Sequence, residues 1–109
     1  MIIIADGGST KTNWCLLNES GRKIYFNTEG YNPYFSTTEY IIDSLRKNLP
    51  DHLELDKITE VNYYGAGCST ETNVNIVFLA MQAVFSRAQL NIGHDLLAAC
   101  RALLGTTPG

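Results

Sequence analysis

The chain opens on an unbroken apolar run, Ile2-Ile-Ile-Ala5, which breaks abruptly into the polar, glycine-containing stretch Asp6-Gly-Gly-Ser-Thr-Lys-Thr12. A short β-branched run of this kind predicts a strand buried on both faces. Residues 13–17 and 23–27 predict two further strands, and Asn18-Glu-Ser-Gly21 between them is turn chemistry, so the pair predicts a hairpin. Ser36-Thr-Thr-Glu39 has the form of a capping box. After it Ile41, Ile42, Leu45 and Leu49 recur on one helical face, and Pro50 stops the run. Residues 58–64 predict a fourth strand, followed by the small-residue loop Gly65-Ala-Gly-Cys-Ser-Thr70. Val74, Val77, Phe78, Met81, Val84 and Phe85 carry helical spacing through a second helix. Residues 89–93 predict a short strand. Asp95 stands where a helix N-cap belongs ahead of residues 96–104, and Gly105 is placed to end that helix. The order β-β-β-α-β-α-β-α predicts an α/β fold, a five-stranded sheet with helices on its faces.

Composition narrows this picture more than it enlarges it. A chain of 109 residues, 45% hydrophobic and 17% charged, is one domain with room for a real core. A net charge of -3 offers no basic stripe for a nucleic-acid backbone. No apolar run approaches the roughly 20 residues that span a bilayer, and the start lacks the basic region of a secretory signal. Cys15, Cys68 and Cys100 are odd in number and widely spaced, which argues against a disulfide framework or a zinc site. Cys68 and Cys100 are expected as buried small hydrophobes. The expected setting is the cytoplasm, with no nucleic-acid and no membrane partner; a homodimer stays open.

The stretch after the first strand is the richest in chemistry. Gly7 and Gly8 are followed by three hydroxyls, Ser9, Thr10 and Thr12, and by the cationic Lys11. Glycines let backbone N–H groups approach phosphate oxygens with no Cβ in the way. Asp6, at the end of a strand, is suited to hold Mg²⁺ directly or through water. A plain glycine-rich hairpin with a solvated lysine is the competing account. The stretch is neither GxxxxGK[ST] nor GxGxxG, because it joins two strands instead of opening a helix.

A strand, then Asp-x-Gly-[Gly/Ser]-Thr-[Lys/Arg]-[Thr/Ser] and a hairpin, resembles the first phosphate motif of the actin, sugar-kinase and heat-shock ATPase superfamily. Gly30-Tyr-Asn-Pro33, Tyr63-Tyr-Gly-Ala-Gly-Cys68 and His94-Asp-Leu-Leu-Ala-Ala-Cys-Arg-Ala102 follow in the order found in its BadF/BadG family, and more narrowly in N-acetylglucosamine kinase-like proteins. The resemblance covers residues 1 to about 104. It implies a ribonuclease H-like (actin-like ATPase) domain with a mixed sheet, use of ATP and Mg²⁺, and phosphorylation of an amino sugar, N-acetylglucosamine being the first choice. It implies that residues 1–109 are an N-terminal lobe. A Gly-Thr-Gly-Ser type motif and a second lobe would complete the nucleotide site, so the 109-residue piece alone is expected to bind nucleotide poorly.

The same resemblance implies that Asp95 is the base that takes the proton of the attacking sugar hydroxyl, and that Asn32 hydrogen-bonds the sugar. On residues alone Asp95 reads more simply as a helix cap, and Asn32 as a turn residue before Pro33. Tyr31, Tyr34 and Phe35 are expected to form a satellite core in preference to a sugar platform. Residues 65–69 are expected as a cleft wall at a strand's C-terminal end, and His94 as a solvent-facing departure from the small polar residue expected there. No cysteine clearly matches the iron–sulfur ligand pattern of the dehydratase-activating relatives. An ATPase driving a partner enzyme, and a non-catalytic sugar sensor, remain alternatives to the kinase.

Overall fold

The structure, a computed structural model, describes residues 1–93 apart from Ser9 and His52. As far as these run, the elements follow the predicted order: β1 (Ile2–Gly7), β2 (Lys11–Leu17), β3 (Lys23–Glu29), α1 (Thr38–Asn48), β4 (Glu60–Gly65), α2 (Glu71–Val84) and β5 (Gln89–Gly93). A 3-10 turn at Leu55–Lys57, which no periodicity announced, leads into β4. The helix expected over residues 96–104 lies outside the described residues, as does Cys100.

The sheet order is β3-β2-β1-β4-β5. β1, β2 and β3 pair antiparallel as a meander, while β4 and β5 run parallel to β1. Parallel neighbours need crossover connections, and α1 and α2 supply them. The turn at residues 18–21 forms as expected: the Asn18 side-chain carbonyl accepts from the backbone N–H groups of Ser20 and Arg22.

Strand alternation then decides which residues meet the helices. Ile3 and Ala5, Trp14 and Leu16, and Val61 and Tyr63 point to one side and are fully enclosed with Ile41 and Leu45 of α1 and Val77, Ala80 and Met81 of α2. Both described helices lie on that face. Burial of β1 on both faces is therefore corrected: Ile2 and Ile4 are only half-buried. The opposite face carries a polar ladder, in which Asn91 Nδ2 donates to Asn62 Oδ1 (2.8 Å) and Asn62 Nδ2 to Glu60 Oε2 (2.8 Å).

Each helix is closed by local chemistry. The N-cap of α1 is Thr37, whose hydroxyl accepts from Tyr40 N–H, and not Ser36 as the capping box suggested. Ser36 N–H is already held by the Asn32 carbonyl (2.8 Å), so Ser36 belongs to the preceding turn and the helix starts one residue later. Glu39 in the first turn and Arg46 and Lys47 in the last complement the helix dipole. Leu49, before Pro50, is extended, which ends the helix. Thr70 caps α2 by accepting from Asn73 N–H.

One row of this core is unusually demanding. The register aligns Phe26, Trp14, Ala5 and Tyr63 across β3, β2, β1 and β4. Trp14 and Tyr63 stand two strands apart, about 9.5 Å by strand spacing, yet their ring centroids are 5.8 Å apart. They lean together over Ala5, which has no side chain to hold them off. Trp14 also stacks on Phe26 at 5.5 Å. Ala5→Leu is expected to force these rings apart and cost about 1–3 kcal/mol. A lowered urea midpoint with an unchanged m-value checks this.

Candidate functional site

The row above the ring pair consists of small residues. Thr28, Thr12, Gly7 and Gly65 are aligned across β3, β2, β1 and β4. The end of the Tyr63 side chain occupies the space that side chains at 7 and 65 would need. A Cβ at Gly7 would stand 2.5 Å from Tyr63 Oη, and one at Gly65 would stand 2.7 Å from Tyr63 Cε1. Both are closer than atoms can come. Gly7 was read from the sequence as a phosphate-approach glycine; its packing against Tyr63 already requires glycine there.

Past this row the chain turns. Gly8 N–H donates to the Lys11 carbonyl (2.8 Å), closing a tight hairpin between β1 and β2. Ser9, at its tip, lies outside the described residues, while Thr10 and Lys11 are exposed. Asp6 projects from the opposite side of β1 to Ala5 and Gly7 and is also exposed. Among the described residues neither Asp6 nor Lys11 takes part in an ion pair. Thr12 requires correction. It is fully buried, and its hydroxyl donates to the Glu29 carbonyl (3.1 Å), so the side chain is turned into the core and away from the loop surface.

The second loop of the small-residue kind closes against the first. Ala66 N–H donates to the Gly7 carbonyl (2.9 Å). Gly67 adopts φ +82°, a conformation L side chains rarely take, and a Cβ there would stand 2.5 Å from Asn32 Oδ1. Asn73 Nδ2, at the start of α2, donates to the Gly67 carbonyl (3.1 Å) and fixes the loop on the helix. Cys68 is enclosed, and burial pushes its thiol up to about 11, which leaves it an inert packing group as expected.

Asn32 thus meets this loop from the third side. Its Oδ1 accepts from Tyr34 N–H (3.0 Å), an Asx-turn bond that makes Asn32 the turn residue expected before Pro33. That bond fixes the amide's orientation, and Nδ2 has no protein partner among the described residues. The satellite core expected of the neighbouring rings holds for one of three. Tyr31 is enclosed, with its hydroxyl 2.9 Å from Ser44 Oγ, but Tyr34 is 62% and Phe35 88% exposed. The reason is the turn itself: the Asn32 carbonyl accepts from both Phe35 and Ser36 N–H, which throws residues 34 and 35 outward.

Two residues to which the sequence analysis gave no role organise this edge. Tyr63 supports the hairpin from below. Glu29 ends β3, and its carboxylate accepts from the hydroxyls of Tyr40 and Ser44 (2.7 Å to Ser44). Its carbonyl accepts from Thr12 and Thr28, so one residue joins the hairpin strand to α1 and, through Ser44, to Tyr31 beside Asn32. The hydrogen bonds from Tyr40 and Ser44 hold the Glu29 carboxyl below its usual range; partial desolvation opposes them and Lys47 assists. No spacing rule marks such a residue, because its partners come from α1.

The C-terminal ends of β1 and β4 therefore bring together the hairpin after β1, the loop 66–70 and the turn at Asn32. Gly93, at the end of β5, pairs with Tyr64 at the same edge. Asp95, two residues further on, lies outside the described residues. Among the described residues no three His, Cys, Asp or Glu side chains cluster to hold a metal, and no helix is long and apolar enough to cross a membrane.

Two expected outcomes follow from this packing. Gly7→Ala is predicted to destabilise the fold by about 1–3 kcal/mol, and part of that loss returns when Tyr63→Phe is added, because the closest clash is with the hydroxyl; a double-mutant cycle in urea reads the coupling. The lowered Glu29 pKa contributes stability above the unfolded carboxyl's pKa, and this is lost as pH falls through the folded value. Glu29→Gln should flatten that part of the acid limb, below about pH 5, when thermal stability is followed against pH.

No family model and no curated protein matches the chain. A solved structure does: a protein of Porphyromonas gingivalis provisionally named an N-acetylglucosamine kinase, with 33% sequence identity and a TM-score of 0.78. The match covers 96% of this chain and 38% of that one, so the chain spans well under half of that protein's length. With a third of its residues and its mixed five-stranded architecture held in common, the chain shares the sugar-kinase (actin-like ATPase) fold of the region it matches in that protein.

Proposed function

We propose that the protein carrying this chain phosphorylates an amino sugar, N-acetylglucosamine, at the expense of ATP. The observation that carries this reading is the meeting of two unlike loops at one sheet edge. The Asp6-to-Lys11 hairpin has the chemistry for phosphate, and Asn32, one loop away, offers a free amide N–H₂ suited to sugar hydroxyls. The name and identity of the solved relative support the same class.

In this reading the hairpin would offer backbone N–H groups and the Thr10 hydroxyl to the phosphates, with Lys11 as the nearby cation; Ser9 is assigned to the same role from the sequence alone. Thr12 acts from within, holding β2 to the end of β3. A single exposed carboxylate such as Asp6 fits Mg²⁺, which keeps most of its waters and shares its remaining positions with substrate phosphates. The metal would neutralise charge on the transferring group. The transition state for phosphoryl transfer is loose, so positioning and charge stabilisation supply most of the rate. Asp95 would orient the acceptor hydroxyl and accept its proton as the bond to phosphorus forms. Its place in the chain, two residues after the end of β5, supports that role.

The test is ADP release by the full-length protein with and without N-acetylglucosamine. Sugar-dependent release is expected, with Asp95→Ala lowering kcat at least about 100-fold and Asn32→Ala acting chiefly through the KM for sugar. ATP hydrolysis indifferent to sugar would replace the kinase with an ATPase that drives a partner. Sugar binding without turnover would leave a sensor.

A further inference from the structure

β3 leaves one edge of the sheet open. Among the described residues it is the outermost strand on its side, and it pairs with β2 over seven consecutive residues without a bulge. Tyr25 is 70% and Ile24 38% exposed, so no described residue covers them, and Phe26 is half-buried. A long, flat, apolar edge is a template for another strand, and proteins blunt such edges with proline, bulges, charges or a covering loop. Between Lys23 at one end and Glu29 at the other, β3 has no proline and no charge. The other edge, β5, is shorter, and four of its five residues are half-buried.

The ladder itself shows where the free backbone groups of β3 point. Gly8 N–H donates to the Lys11 carbonyl, and Asn18 N–H to the Arg22 carbonyl. Antiparallel pairs alternate between bonded and non-bonded, so each of these bonds fixes the pattern along its pair of strands. Counted along the register, both give the same answer: Thr12, Trp14 and Leu16 turn their backbone groups toward β3, where Thr28, Phe26 and Ile24 are their bonded partners. The N–H and C=O groups of Lys23, Tyr25 and Asn27 therefore point away from the sheet. Among the described residues nothing bonds to them, and Lys23 takes part in no ion pair.

We propose that this edge is a dimer interface, at which β3 pairs antiparallel with β3 of a second copy and joins the two five-stranded sheets into one. Charge selects the occupant and the register. With Phe26 on the two-fold axis, Tyr25 and Asn27 exchange backbone bonds with the partner's Asn27 and Tyr25, and Lys23 stands opposite the partner's Glu29 at both ends. The Glu29 carboxylate already accepts from Tyr40 and Ser44 but stays exposed, with lone pairs left for an ammonium group. Opposite charges facing across strands stabilise a pair, and like charges destabilise it. A register shifted by two residues also satisfies the backbone, but it sets Lys23 against Asn27 and leaves both charges unmatched. A segment of the same chain is a poorer occupant, because the residues after Gly93 leave from β5, at the opposite edge of the sheet.

The experiment is sedimentation equilibrium on the full-length protein, comparing wild type with Asn27→Pro and Lys23→Glu. The wild type is expected to dimerise. Asn27→Pro removes an N–H that the sheet does not use, and proline is tolerated on an edge strand, so this variant should be a monomer with a wild-type circular-dichroism spectrum. Lys23→Glu changes an exposed side chain and turns two attractive pairs into repulsive ones. It should raise the dimer dissociation constant about tenfold. A monomeric wild type, or a dimer that either substitution leaves at wild-type strength, overturns the proposal. Should Asn27→Pro fail to fold, Lys23→Glu decides alone.

Discussion

Trp14 and Tyr63 close over Ala5, and the remainder of the candidate site is arranged around that contact. Two large rings from strands that are not neighbours can touch only if the strand between them offers nothing bulkier than a methyl group. Once they lean together, the Tyr63 hydroxyl is driven toward the C-terminal edge of the sheet. The positions it passes beneath, Gly7 and Gly65, must then lack side chains. Glycine at the edge is thus set from below by packing as much as from above by any ligand. Because protein interiors are close-packed, a change at any of these five positions is felt at the others.

The second organising feature is polar. Glu29 uses its carbonyl to fasten Thr12 and Thr28, and its carboxylate to fasten Tyr40 and Ser44. Trp14 Nε1 donates to Thr28 Oγ1 (3.0 Å), so the ring stack and this network share an atom. The result is a continuous set of contacts from the hairpin strand, through the end of β3, to α1 and the Asn32 turn. The proposed reaction needs its phosphate donor and its acceptor hydroxyl held in fixed relation, since misplacement by about 1 Å can cost two orders of magnitude. Loops anchored to a shared rigid layer satisfy that requirement better than loops that move independently.

In the chain's solved relative, the matching region is 38% of the length. In the proposed reading this region contributes one wall: a hairpin for phosphate, an amide for sugar and a short loop between them. The wall is well ordered by its own core. The hairpin and the loop 66–70 are tied together by the Ala66–Gly7 bond, the Asn73–Gly67 bond fixes that loop on α2, and the Asn32 turn is closed by its own local bonds.

The sequence by itself determined the element order, the Asn18 turn, the strand–hairpin–strand form of the Asp6-to-Thr12 motif and the family resemblance. These depend on neighbours along the chain: β-branched runs, turn residues and motif spacing. It erred by one residue at the start of α1, since a Ser and a Thr both make good caps and only the Asn32 carbonyl decided between them. It also misjudged Tyr34 and Phe35, because composition says that rings prefer burial but not which way a turn will point them. Thr12 read as one hydroxyl among three until strand alternation turned it inward onto Glu29. Only the tertiary structure decided why Gly7 and Gly65 are glycines. They lie 58 residues apart in sequence and become neighbours through the register of β1 against β4, with Tyr63 between them and the core.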